Sequence, residues 1–199
     1  MALSEVGICN LALARIGVRQ SISSLTNDTS TEAVMCNALY ESMRDIVLSD
    51  TPWPFAMRTV TLALVEEDPN TDWAYAYRRP TDCLVARRIN NNGRFDQTGL
   101  IPYEIAGDDE GGLIYTDTED PVLQYTARVT DTALFPSDFM NVLAWRMAME
   151  LSLALSVDNS YRQSSANSYL VERRGCEARI FNEERKDARP DSEFITARS

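Results

Sequence analysis

Apolar residues recur at helical spacing in four stretches, two near each end of the chain. Between them they alternate with polar residues. Leu3, Val6, Ile8, Leu11, Leu13, Ala14 and Ile16 predict a first helix, which Gly17 stops. Its apolar positions cover more than one face, so it is expected to pack on two sides. Ser21 to Asn27 reads as a polar connector. Thr29 followed by Glu32 fits a capping box and starts a second helix through Ala33, Cys36, Leu39, Tyr40, Met43, Ile46 and Val47. That pattern ends at Asp50, because Thr51-Pro52-Trp53-Pro54 cannot continue a helix.

The period then changes to two. Val60, Leu62 and Leu64 alternate with polar or small neighbours, Trp73, Tyr75 and Tyr77 share a face, and Cys83 to Ile89 forms a third candidate strand. Asn90-Asn91-Asn92-Gly93 is a turn signal. Further short runs follow at Leu100 to Ala106, Leu113 to Tyr115 and Val122 to Val129. Helical spacing returns at Phe139, Met140, Leu143, Met147, Leu151, Ala154 and Leu155, a long and largely buried helix. A fourth helix, capped at Asn159-Ser160, has a thinner apolar face of Tyr161, Ser165, Tyr169, Cys176 and Ile180. From about Glu183 the chain is charged, contains Pro190, and forms no core of its own.

Helical blocks flanking a strand block predict an α+β chain. The expectation is an antiparallel four-helix bundle with an inserted small antiparallel β-domain and an extended C-terminal tail. Its boundaries are 1–57 for the first half of the bundle, 58–133 for the β-domain, 134–186 for the second half and 187–199 for a docking tail.

Composition narrows the chemistry. The 199 residues carry a formal net charge of -11 and contain no histidine. Triads built on histidine, zincin helices and Cys2His2 zinc sites are excluded. Of the 19 bases only Lys186 is lysine, and it follows no glycine loop, so Walker A chemistry is excluded too. Cys9, Cys36, Cys83 and Cys176 are isolated and read as buried free thiols. No apolar run reaches the roughly 18 residues of a membrane span, and Met-Ala-Leu-Ser-Glu lacks a basic leader region, so neither membrane nor secretion is expected.

Candidate sites remain weak one by one. Asp108, Asp109, Glu110, Asp117, Glu119 and Asp120, near Glu104, form the densest acidic cluster. Its spacing lacks the alternating ligands of a calcium loop, which favours a solvated or lumen-facing patch over a metal site. Cys83 beside Asp82 has no histidine to activate it. Trp53, Phe55, Trp73, Tyr75 and Tyr77 suggest a base-stacking platform. Arg58, Arg78, Arg79, Arg87, Arg88 and Arg94 concentrate nearby, and the acidic net charge favours a subunit or tail interface for them. Tyr161, Arg162, Tyr169, Arg173 and Arg174 are a candidate docking face. No catalytic, cofactor or metal residue is assigned.

The order of several segments carries a resemblance. They are Ile8-Cys9-Asn10-Leu11-Ala12-Leu13-Ala14-Arg15-Ile16-Gly17, Ile22-Ser23-Ser24-Leu25, Arg44-Asp45-Ile46-Val47-Leu48 and Trp53-Pro54-Phe55-Ala56. Next come Trp73 to Cys83, Tyr125 to Asp131, and the helix through Ala144 to Leu155. In this order the chain resembles the tail tubular protein A family of short-tailed bacteriophages, the head-to-tail adaptors or gatekeepers. The resemblance implies a non-enzymatic virion protein of the neck, assembled in the bacterial cytoplasm. It implies a dodecameric ring of this chain between the portal protein and the tail nozzle protein, with tail fibres attached in some phages. Double-stranded DNA would pass through without sequence-specific binding. The helical bundle would surround the channel, and the C-terminal segment would reach the portal through Arg173, Arg174, Phe194, Ile195 and Arg198. The alternative from another class is a DNA-binding packaging factor using the arginine-rich middle block. A metal-dependent hydrolase on the acidic loop is a third.

Overall fold

The computed structural model describes residues 3–69, 72–90 and 101–183. Two helices open the chain, α1 (Glu5–Arg15) and α2 (Thr31–Asp50). Seven strands follow: β1 (Met57–Thr61), β2 (Ala63–Glu67), β3 (Tyr75–Arg78), β4 (Cys83–Asn90), β5 (Glu104–Asp108), β6 (Gly111–Thr116) and β7 (Val122–Ala127). Helices α3 (Ser137–Ala154) and α4 (Asn159–Glu183) close the described fold.

Local chemistry explains the helix ends. Ser4 caps α1 by accepting from the Gly7 N–H. At its other end Gly17 sits at φ 78°, and the N–H groups of Gly17 and Val18 reach back to the carbonyls of Ala14 and Leu13. That is the paired closure a left-handed glycine permits. Helix α2 starts one residue later than the capping-box spacing predicts. Ser30, not Thr29, is the cap, with its Oγ accepting from Ala33 N–H. Asp28 decides between them, because its carboxylate accepts from the backbone N–H groups of both Ser23 and Ser30.

The strands form two antiparallel sheets. One is ordered β1-β7-β4 and the other β2-β3-β6-β5. The alternation at Val60, Leu62 and Leu64 predicts one strand. The chain instead changes sheets there. Leu62 N–H donates to the Pro121 carbonyl at 3.0 Å, continuing the β1–β7 ladder, and Ala63 then pairs with Arg78 of β3. Only Leu62 of the three is buried, in a core with Tyr77, Ile89, Ile114, Leu123 and Tyr125.

The chain is α+β, but the expected four-helix bundle with a small inserted β-domain is not what forms. Helix α3 is a hub against which α1, α2 and α4 each pack. Phe139, Val142, Leu143, Ala144, Met147, Ala148 and Leu151 are therefore buried around it. The helices also pack with sheet. Helix α2 meets β4 and β7, and Leu84 of β4 packs against the helical core. Arg87 Nη2 on β4 donates to the Ser49 carbonyl at 2.8 Å, and Arg128 pairs with Asp45 at 2.7 Å. The physical reason is simple. A periodic stripe shows which face of a helix is covered, not whether a helix or a sheet covers it.

Candidate functional site

The strand ladders bring carboxylates from separate segments to one end of the four-stranded sheet. Glu67 lies opposite Tyr75, and Tyr75 opposite Thr116. The connection from β2 to β3 therefore sits beside the connection from β6 to β7. Ala74 N–H donates to Asp117 Oδ1 at 2.9 Å, and Tyr77 Oη donates to the Thr118 carbonyl at 3.0 Å, which fixes the two turns together. Trp73 Nε1 donates to Glu104 Oε2 at 2.8 Å. Glu66, Glu67, Asp68, Asp72, Asp117, Glu119 and Asp120 are exposed here, and none forms an ion pair with an arginine among the described residues.

The predicted acidic cluster is thereby divided. Asp117, Glu119 and Asp120 stand at this end. Asp108, Asp109 and Glu110 stand at the opposite end, in the β5–β6 turn. There Arg78 grips Asp108 through two hydrogen bonds, 2.7 and 3.0 Å, and reaches Glu110 at 3.1 Å. The Arg78 guanidinium holds the Asp108 carboxyl below its ordinary range, aided by the N–H groups of Glu110 and Gly111. Sequence reasoning missed Glu66, Glu67, Asp68 and Asp72. Their signal was an acidic run on either side of Pro69, which any hairpin there would gather at one end.

Arg78, Arg79, Arg87 and Arg88 of the middle block are spent on the fold, whereas Arg58 is exposed and donates to the neighbouring carbonyls of Phe55 and Met57. Arg79 donates through Nη2 to the carbonyls of Cys83 and Leu84, and its stem lies across Gly112. A Cβ on Gly112 would meet Arg79 Cδ at 3.0 Å. Arg87 donates to Thr126 Oγ1 and the Ser49 carbonyl, and Arg88 to Gln124 Oε1. Burial pulls the Arg87 pKa down, which marks it as an internal tether. Arg94 lies outside the described residues.

The docking-face residues on α4 part company. Arg173 turns to the end of α2, near Asp50 at 3.6 Å and Glu177 at 3.7 Å. Tyr169 is buried and hydrogen-bonds Asp50, with Arg146 over its ring. Arg174, Arg162 and Tyr161 are exposed. Phe194, Ile195 and Arg198 lie outside the described residues.

Other chemistry is muted. All four thiols are free and buried. Burial pushes the Cys83 thiol up, against the smaller pull of Arg79. The suggested stacking aromatics split between two cores. Trp53 packs edge-on to Phe139 with centroids 5.2 Å apart, whereas Tyr75 and Tyr77 lie 6.0 Å apart on β3. No group of three or more metal-ligating side chains gathers among the described residues, and no helix among them is long and apolar enough to cross a membrane. No family model matches the chain, and no curated protein matches it.

Proposed function

We propose that this chain is a structural subunit of a phage neck: a non-enzymatic adaptor that assembles as a ring between portal and tail nozzle. The reading starts from the ordered motifs described above. The observation that carries it in physical terms is the separation of charge in the strand region. Seven carboxylates stand exposed at one end of a sheet, while Arg78, Arg79, Arg87 and Arg88 are turned onto carbonyls, a hydroxyl, an amide and carboxylates of the same fold. Duplex DNA carries about one negative charge per 1.7 Å of axis. A subunit that presents acids and withholds arginines lets such a polyanion slide. The same distribution speaks against an arginine groove that grips DNA.

Ring order twelve, attachment to the portal through the C-terminal segment, and residence in the virion neck belong to the same proposal. The test is electron microscopy of the purified chain, alone and mixed with its cognate portal. A closed ring stacked coaxially on the portal is expected. A chain that ignores the portal overturns the reading. Salt-dependent DNA binding then decides for or against the packaging factor, since phosphate contacts are strongest near ~50 mM salt.

A further inference from the structure

A groove of about 360 Å³ opens between the Pro54–Ala56 turn and the last turn of α4. Trp53, Pro54, Phe55 and Ile180 supply its apolar wall, and Arg179 and Glu183 its rim. The wall continues an aromatic array. Phe55 packs against Phe139 at 5.0 Å and Phe135 at 5.8 Å, and Phe139 against Phe135 at 4.7 Å. Trp53, Phe135 and Phe139 are buried, and Phe55 is the member of the array that is partly exposed and lines the groove.

Glu183, the last residue of α4, is itself part of the lining. Glu183 is also the last described residue, so the rest of the chain starts at the groove. Sixteen residues follow it, and Phe194 and Ile195 are the only large apolar ones among them. Ten residues, 184–193, separate Glu183 from that pair. Fully extended they span up to ~33 Å, ample to turn back to a groove that begins where they begin. Pro190 stands within them and disfavours continuation of the helix.

We propose that Phe194 and Ile195 of the chain's own C-terminal segment seat in this groove in the free subunit. The phenyl ring would pack on Phe55, the partly exposed end of the aromatic array, and the aliphatic side chain on Ile180. The flanking Glu193 and Arg198 meet a rim that offers both charges, Asp138 and Arg179, which pair with each other at 2.8 Å. A linker this short holds the pair at an effective concentration on the order of millimolar. At micromolar protein the chain's own segment therefore prevails over that of a second copy. The seat stands apart from the adaptor reading. What rests on that reading is one consequence: a portal that uses the same pair must first draw it out of the groove.

The experiment places the photoreactive residue p-benzoylphenylalanine at Phe194 in the full-length chain at micromolar concentration. Irradiation and peptide mapping are expected to give a crosslink within one chain, to residues 53–55 or 176–183, that is lost in Ile180→Gln. Hydrogen exchange is the second readout. Deleting Glu193–Ser199 is expected to speed exchange across Trp53 to Met57. Crosslinks elsewhere, crosslinks between chains, no crosslink, or unchanged exchange would each overturn the seat. Portal binding is measured separately, so loss of the adaptor reading leaves these results untouched.

Discussion

Arg87 on β4 reaches the Ser49 carbonyl on α2 with a 2.8 Å hydrogen bond, while its Nε holds Thr126 Oγ1 on β7 at 2.9 Å. One side chain thus ties a helix to two neighbouring strands. Arg87→Ala should destabilise the protein by about 1–3 kcal/mol, the cost of stranding partly buried acceptors. Arg87→Lys should recover only part, because an ammonium lacks the planar fork. Urea unfolding followed by both tryptophan fluorescence and circular dichroism should show one coincident transition in the parent. Two separate transitions would mean that strands and helices unfold independently.

The capping-box spacing points to Thr29, but it is Ser30 that bonds the helix N–H. Ser30→Ala should cost about 1 kcal/mol, whereas Thr29→Ala should cost at most a few tenths. Thermal melts of the two variants side by side measure the difference. Equal losses would put the helix start back at Thr29.

Asp28 accepts from the backbone N–H of Ser23, then from the backbone and hydroxyl of Ser30, and its carboxyl is drawn down to about 2. The folded value is below the unfolded one of about 3.9. The stability it lends is therefore full above about pH 4 and is lost as pH falls through about 2. Asp28→Asn should flatten the fall in Tm over that window relative to the parent. Parallel pH profiles would remove Asp28 from the acid response.

Charge reversal tests the acidic end of the sheet. Glu66, Glu67 and Asp68 are exposed, so Glu66→Lys, Glu67→Lys and Asp68→Lys together should leave folding close to the parent. The parent should pass through immobilised duplex DNA at about 50 mM salt, where phosphate contacts are strongest. The triple variant should be retained and released by salt. Retention of the parent itself would contradict a surface that lets DNA slide.

Much of the helical skeleton was legible. Gly17 stops α1 and the Pro52–Pro54 pair stops α2, and the apolar spacing ahead of each stop fixes the helix. The packing arrangement was not. Helix α3 is apolar on several sides because it is surrounded, yet the same pattern suits one member of a bundle. The strand period gave alternation at Val60 to Leu64 but could not say that partners change at Leu62, since a strand's pattern records its buried face and not its neighbour. The arginines were visible as a cluster. Their destinations were not, because Ser49 and the carbonyls of Cys83 and Leu84 carry no side-chain signature of being acceptors. The acidic end emerged only with the strand register, which places Glu67, Tyr75 and Thr116 in line.

The change of sheet at Leu62 has a mechanical meaning. β1 and β2 are one covalent run, so tension along it passes between the sheets through peptide bonds rather than through hydrogen bonds. Hydrogen bonds yield first under load, peptide bonds last. A pull on the four-stranded sheet therefore reaches β7 and, through Arg87, the end of α2 before the two sheets can slide apart. The chain is wired to share strain between its two sheets and the helix that packs beside them.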